Sequence, residues 1–128
     1  MNTPPRHPEL AGYIDSHVIQ RGDFVLVSGA RSSYYIDGKF ASLSPRGARL
    51  IADAILSEVE ALGREGCRVD AVGGMDMGAT PIAGAVAYAS EVAGQPIPTF
   101  VVRKEAKTHG TQKRIEGPMP NGARVVLV

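Results

Sequence analysis

An α/β fold with a mainly parallel sheet flanked by helices is predicted by three consecutive stretches of this 128-residue chain. Val69-Asp70-Ala71-Val72 is a short buried-strand pattern running into a glycine-rich turn, Gly73-Gly74-Met75-Asp76-Met77-Gly78. A helical stretch rich in alanine and glycine, Ala79 to Ala93, comes next and can pack very close to a sheet. The apolar strand Thr99 to Val102 then follows Pro96 and Pro98. Strand, helix and strand in that order need a crossover connection, which sets neighbouring strands parallel.

The other elements follow from local chemistry. Leu10, Tyr13, Ile14, His17 and Val18 recur at intervals of three and four, which predicts a helix over Pro8 to Gln20. Phe24–Val27 and Ser33–Ile36 are short strand candidates, and Ser28-Gly29-Ala30-Arg31 between them has hairpin-turn chemistry. Ser44 followed by Pro45 marks a helix start: a hydroxyl for free backbone amides, and a proline where no amide is needed. That helix places Ile51, Ile55, Val59 and Leu62 on one face, and Gly63 and Gly66 can end it. Arg124 to Val128 begins a last strand.

Composition sets the bounds. At 44% hydrophobic the chain has the material for one domain with a real core, and its 15 glycines and 9 prolines are dispersed as turn residues. No apolar run approaches the roughly 18 residues that span a bilayer. Met1 to Pro8 is polar and proline-rich, without the apolar centre of a secretory signal, so a cytoplasmic location is expected. Cys67 stands alone, which excludes an internal disulfide and a multi-cysteine metal site.

Charge is uneven. Arg103, Lys104, Lys107, Lys113 and Arg114 against Glu105 and Glu116 give the 103–116 segment a charge of +3, while the whole chain is only +1. Such a concentration points to a local anion such as phosphate, not to broad adhesion to nucleic acid or membrane. Arginine offers a two-pronged fork to phosphate oxygens, lysine a mobile point charge, and the imidazole of His109 can donate to an anion. A solvated charge run is the competing reading, but it does not explain why Arg103, Lys104, Lys107 and His109 crowd at a strand end. The loop between Val102 and Val125 is also long for a compact domain. Thr108 to Gly117 has almost no apolar residue except Ile115 and is expected to be poorly ordered without ligand.

Two further features lie near strand ends, where open α/β sheets bind ligands. The turn Gly73 to Gly78 lets the backbone approach an anion, and amides opening the next helix can face it, although a ligand-free turn uses the same glycines. Tyr34-Tyr35-Ile36-Asp37 presents adjacent aromatics to opposite faces, so one of them faces a cleft or solvent. Ordinary strand aromatics would look the same. His7 and His17 show no ligand spacing, and Ser28, Ser32 and Ser33 lack the strand-to-helix elbow of a serine hydrolase.

Taken together, three motifs resemble the orotate phosphoribosyltransferases, a type I phosphoribosyltransferase family. The segment from Phe24-Val25-Leu26-Val27-Ser28-Gly29 through Tyr34-Tyr35 resembles that family's phenylalanine, serine-glycine, paired-aromatic segment. Val72-Gly73-Gly74-Met75-Asp76-Met77-Gly78-Ala79 resembles its pyrophosphate loop. Arg103-Lys104-Glu105-Ala106-Lys107-Thr108-His109-Gly110, the most specific of the three, resembles its mobile catalytic loop. The resemblance implies transfer of ribose 5-phosphate from phosphoribosyl pyrophosphate (PRPP) to N1 of orotate, with Mg2+ as cofactor, in pyrimidine (UMP) synthesis. It implies Lys107 and His109 as catalytic residues closing over the diphosphate. Arg103, Lys104, Gly73 and Gly74 would complete the diphosphate site, and Tyr34 and Tyr35 would line the orotate pocket. No residue is assigned to the metal. A homodimer is implied, with the loop serving the neighbouring subunit, and neither nucleic acid nor membrane is an expected partner.

Some relatives carry Lys where this chain has Val27, and Lys in the pyrophosphate loop where it has Met75-Asp76-Met77, so those contacts do not carry over. The family continues from a strand like Val125-Val126-Leu127-Val128 into paired acidic residues and a ribose-phosphate turn. Residues 1–128 are therefore expected to form one domain, with an N-terminal cap of about 1–43 and an α/β core of about 44–128 that is incomplete at its C-terminal end. By themselves they are expected to be inactive. Two other readings stay open: a phosphoribosyltransferase for a purine or other base, and a non-catalytic nucleotide-sensing regulator on this fold.

Overall fold

In the computed structural model, residues 3–110 and 113–128 are described. The element order is α1 (Pro8–His17), β1 (Ile19–Val25), β2 (Arg31–Ile36), α2 (Lys39–Ser42), α3 (Pro45–Arg64), β3 (Ala71–Met75), α4 (Ala79–Val92), β4 (Thr99–Val102), β5 (Ile115–Glu116) and β6 (Val125–Leu127). Two sheets result. β1 and β2 form an antiparallel hairpin, and a four-stranded sheet runs in the order β5-β4-β3-β6. β3 is parallel to both β4 and β6, and only the two-residue β5 is antiparallel. The predicted mainly parallel α/β architecture is the one observed. Among the described residues no helix is long and apolar enough to cross a membrane.

The long helix starts and stops on the residues that local chemistry names. Ser44 caps α3, its hydroxyl oxygen accepting from the Gly47 amide at 3.1 Å, with Pro45 in the first turn. Gly66 ends it in a left-handed conformation (φ +84°), and the Cys67 amide donates back to the Leu62 carbonyl at 2.8 Å. Glycine adopts that conformation without Cβ strain, and such a bond satisfies a helix-end carbonyl.

Ala52 of α3, Val72 of β3 and Val86 of α4 meet at the centre of the core. Ile55, Leu56, Val59, Ile82, Ile97 and Val126 pack around them. Small residues on α4 bring it close to the sheet, with Ala79, Ala83 and Ser90 buried. The Ser90 hydroxyl donates to the Ala87 carbonyl at 2.9 Å and accepts from the Ile97 amide at 3.0 Å, fixing the helix end to the chain that enters β4.

Several boundaries differ from the predicted ones. α1 ends at His17 and not Gln20, because Ile19, Gln20 and Arg21 pair with Ile36, Tyr35 and Tyr34 as the start of β1. β1 is mostly exposed and shows no apolar alternation, so its partner strand and not its own pattern defines it. The hairpin turn lies one residue earlier than expected: the Leu26 amide donates to the Ala30 carbonyl at 2.8 Å, and Arg31 is already in β2. The expectation of an unstructured 108–117 segment is corrected at its end, where Ile115–Glu116 is strand β5 paired with Val102 and Val101. Thr111 and Gln112, in the middle of that segment, lie outside the described residues.

Candidate active site

The C-terminal ends of β3 and β4 and the first turn of α4 converge. Gly73 and Gly74, expected in an open turn, lie inside β3 and are buried. A Cβ on Gly73 would sit 2.6 Å from the ring of Phe100 and closer still to its carbonyl oxygen. A Cβ on Gly74 would sit 2.9 Å from the Cβ of Ala79 and closer still to the Val128 carbonyl. These glycines are required by close strand and helix packing, and the turn itself begins after Met75. It is built by Asp76, Met77 and Gly78, with a cis peptide bond between Asp76 and Met77. The Asp76 amide donates to the Val102 carbonyl at 2.8 Å, tying the turn to the end of β4, and the Thr80 hydroxyl donates to the Asp76 carboxylate at 2.7 Å. The N-cap of α4 is Gly78, which makes no side-chain cap, and the Thr80 amide donates to the Met77 carbonyl at 3.1 Å.

A cavity of about 580 Å³ opens at this turn, lined by Met75, Asp76, Gly78, Ile82, Val102 and Leu127 among others. A second, of about 410 Å³, is lined by Tyr35, Asp37, Lys39, Gly78, Ile82 and neighbours. Gly78 and Ile82 line both, so the two spaces meet at the start of α4. Tyr35 lines the second cavity, its ring centroid 5.8 Å from that of Phe24. Tyr34 does not line it and is half exposed. Asp37 and Lys39 also line this cavity, and the sequence reading gave neither a role. Their side chains pair at 2.8 Å, and the Asp37 carboxylate also accepts from the Lys39 amide at 3.1 Å. The Lys39 side-chain bond, followed by the amide bond, holds the Asp37 carboxyl below its ordinary value, with burial opposing them. The same carboxylate raises Lys39. An Asp-x-Lys spacing just after a strand was the available signal.

The basic residues form a separate group on the hairpin between β4 and β5. The Arg103 amide donates to the Arg114 carbonyl at 2.7 Å. The Arg103 side chain donates to Glu116 at 3.0 Å, and the Lys107 ammonium lies 3.5 Å from the same Glu116 oxygen. Arg114 reaches the Lys104 carbonyl at 3.3 Å, and His109 is exposed. None of Arg103, Lys104, Lys107 or His109 lines either cavity of its own chain. His7 instead binds Glu58 at 2.8 Å and His17 stacks on Tyr13, and neither lines these two cavities. Among the described residues no group of three or more His, Cys, Asp or Glu is placed to hold a metal ion.

The parallel α/β sheet, with a tight turn at its strand ends, the Tyr35 cavity beside that turn and a cationic hairpin leaving the end of β4, is a phosphoribosyltransferase-type arrangement. No protein-family model matches the chain. An orotate phosphoribosyltransferase of Nostoc sp. is 46% identical over 110 residues, covering 85% of this chain and 50% of the relative. That of Corynebacterium glutamicum is 44% identical over 120 residues, covering 94% and 61%. The crystal structure of Mycobacterium tuberculosis orotate phosphoribosyltransferase in complex with Fe(III) dicitrate superposes with a TM-score of 0.75 at 36% identity, covering 96% of this chain and 66% of that one. Its complex with PRPP gives 0.68 at 32% identity, covering 96% and 63%. By sequence and by fold, the chain is similar to the orotate phosphoribosyltransferases. It spans about half the length of the curated relatives it matches.

Proposed function

We propose that these residues serve an orotate phosphoribosyltransferase, transferring the 5-phosphoribosyl group of PRPP to orotate in pyrimidine synthesis. The bond from ribose C1 to the diphosphate breaks, the bond from C1 to N1 of orotate forms, and pyrophosphate leaves. The observation that carries this reading is the shared wall at Gly78 and Ile82, which sets the aromatic cavity of Tyr35 directly beside the turn at Asp76–Gly78. A base held at the first and a diphosphate held at the second would be adjacent, as in-line transfer requires.

In this reading Tyr35, with Tyr34 on the other face of the same strand, lines the orotate side. The amides opening α4 meet the diphosphate. Gly73 and Gly74 act through the close packing that positions the turn. Arg103 and Lys104 hold diphosphate oxygens, and Lys107 and His109 neutralise charge as pyrophosphate departs. The basic residues line neither cavity of their own chain, which supports a homodimer in which the hairpin serves the neighbouring subunit. Mg2+ fits as a cation borne by the diphosphate itself, since such ions need only one or two protein carboxylates and keep several waters. Asp76 is the carboxylate at the turn, and the ion would supply charge neutralisation to the leaving group. The reading also takes residues 1–43 as a cap on the 44–128 core, and places the enzyme in the cytoplasm.

The test is to offer PRPP and Mg2+ with orotate, a purine or no base to a protein that carries these residues together with the ribose-phosphate turn expected to follow them, and to follow pyrophosphate release. Release that depends on orotate supports the proposal. Release only with a purine assigns another acceptor, and donor binding without release under any condition assigns a regulator.

A further inference from the structure

The cationic hairpin carries its own anion. Glu116 receives the Arg103 side chain at 3.0 Å and the Lys107 ammonium at 3.5 Å on the same oxygen, and all three side chains are about two-fifths exposed. The carboxylate and the arginine stand on fixed backbone. Glu116 is paired opposite Val101 in β5. Its neighbour Gly117 (φ +109°) packs so tightly that a Cβ there would lie 3.2 Å from the Phe100 Cα. Arg103 begins at the end of β4, with its amide bonded to Arg114. Lys107 reaches Glu116 from the loop on a flexible four-carbon stem, so it is the member of the trio that can leave.

We propose that Glu116 is a positioning residue that keeps Lys107 in store and competes with phosphate oxygens for it. The inference rests on the diphosphate reading of the site and adds an element to it, an internal competitor that sets how much negative charge a ligand needs. A singly charged anion offers Lys107 no more than Glu116 already does, whereas a diphosphate, with several charges close together, outbids one carboxylate. Arg103 donates to Glu116 through its Nε, which leaves its outer guanidinium nitrogens for diphosphate oxygens whether or not the carboxylate is there, so removal of the carboxylate acts chiefly through Lys107.

Calorimetric titration of the chain with inorganic pyrophosphate and Mg2+ tests this. Glu116→Gln is expected to tighten pyrophosphate by about two- to fivefold, the range of a partly exposed ion pair. Glu105→Gln makes the same change of net charge in the same loop without touching the Arg103 and Lys107 pairs, and is expected to give less than half that gain. In a Lys107→Ala background the Glu116→Gln gain is expected to vanish, an outcome that a merely structural role for Glu116 would not produce. Glu116→Asp keeps the charge on a shorter arm, should give an intermediate gain, and serves if the glutamine variant does not fold. An unchanged or weaker affinity in Glu116→Gln, or a gain that persists without Lys107, overturns the competitor role while leaving the diphosphate site standing. Absence of pyrophosphate binding by the parent chain overturns the site reading and this inference with it.

Discussion

Placing a single methyl group on Gly73 should damage this fold more than removing most of its surface ion pairs. The added Cβ would lie 2.6 Å from ring carbons of Phe100, which is only 4% exposed and lies on the partner strand β4. Carbon atoms rest comfortably at about 3.5–4.0 Å, so the shortfall is roughly 1 Å. The ring has no solvent to swing into, and the Phe100 carbonyl lies even nearer, so relief requires β3 and β4 to separate at their Gly73↔Phe100 pair. Overpacking costs about 1–3 kcal/mol, and a clash with paired backbone belongs at the upper end, near 3 kcal/mol. With a urea dependence of about 1.5–2 kcal/mol/M, Gly73→Ala should lower the unfolding midpoint by about 1.5–2 M. Gly84→Ala is the matched control: Gly84 lies inside α4 with nothing within 4 Å of a new Cβ, and the change should stabilise by about 0.5–1 kcal/mol. A Gly73→Ala midpoint within about 0.3 M of the parent would refute the argument that close strand packing demands this glycine.

Other consequences are open to direct measurement. Ser44→Ala removes both the α3 cap and the 2.8 Å bond to the Tyr13 hydroxyl, and should cost about 1–2 kcal/mol in denaturant titration; Tyr13→Phe, which spares the cap, should cost less. In the active enzyme Lys107→Ala should lower kcat about a hundredfold, roughly 3 kcal/mol of barrier, with a much smaller change in PRPP affinity, and turnover within twofold of the parent would remove Lys107 from its role. The Asp37–Lys39 pair carries a defined pH signature. The Asp37 carboxyl is held below 3.8, so its contribution is complete above that value and fades as pH falls through the lowered folded value. Lys39 is raised above 10.5, so its contribution is complete below that value and fades as pH rises through the higher one. The difference in thermal midpoint between the parent and Lys39→Met should therefore be flat from about pH 5 to about pH 10 and shrink in acid; a difference that persists unchanged at about pH 2 would count against the pairing.

What was legible in the sequence was what local chemistry decides. Ser44-Pro45 marks a helix start whatever surrounds it, and Thr99–Val102 is a strand by its own apolar run. The strand at Ile19–Val25 was not legible beyond its end, because its residues are mostly exposed and Ile36, Tyr35 and Tyr34 supply its identity from across the hairpin. Ile115–Glu116 is likewise two residues held only by pairing with β4. Gly73 and Gly74 misled in an instructive way, since small size serves a turn and a tightly packed strand equally, and only the positions of Phe100 beside Gly73 and of Ala79 and Val128 beside Gly74 separate the two. At the site, the spacing of Arg103, Lys107 and His109 was visible in the chain. The carboxylate that meets two of them was not, because a pairing across a 13-residue separation depends on how the hairpin closes.

The common wall at Gly78 and Ile82 gives the first turn of α4 a thermodynamic role. Because Ile82 lines both cavities, a larger or smaller side chain at this position changes the room on the side of Tyr35 and on the side of Asp76 together. Linkage makes any influence between the two occupants symmetric: the factor by which an occupant of one cavity changes affinity in the other is the factor returned. In the proposed reading, with a base in one cavity and the diphosphate at the other, the size of the side chain at position 82 bears on both affinities at once.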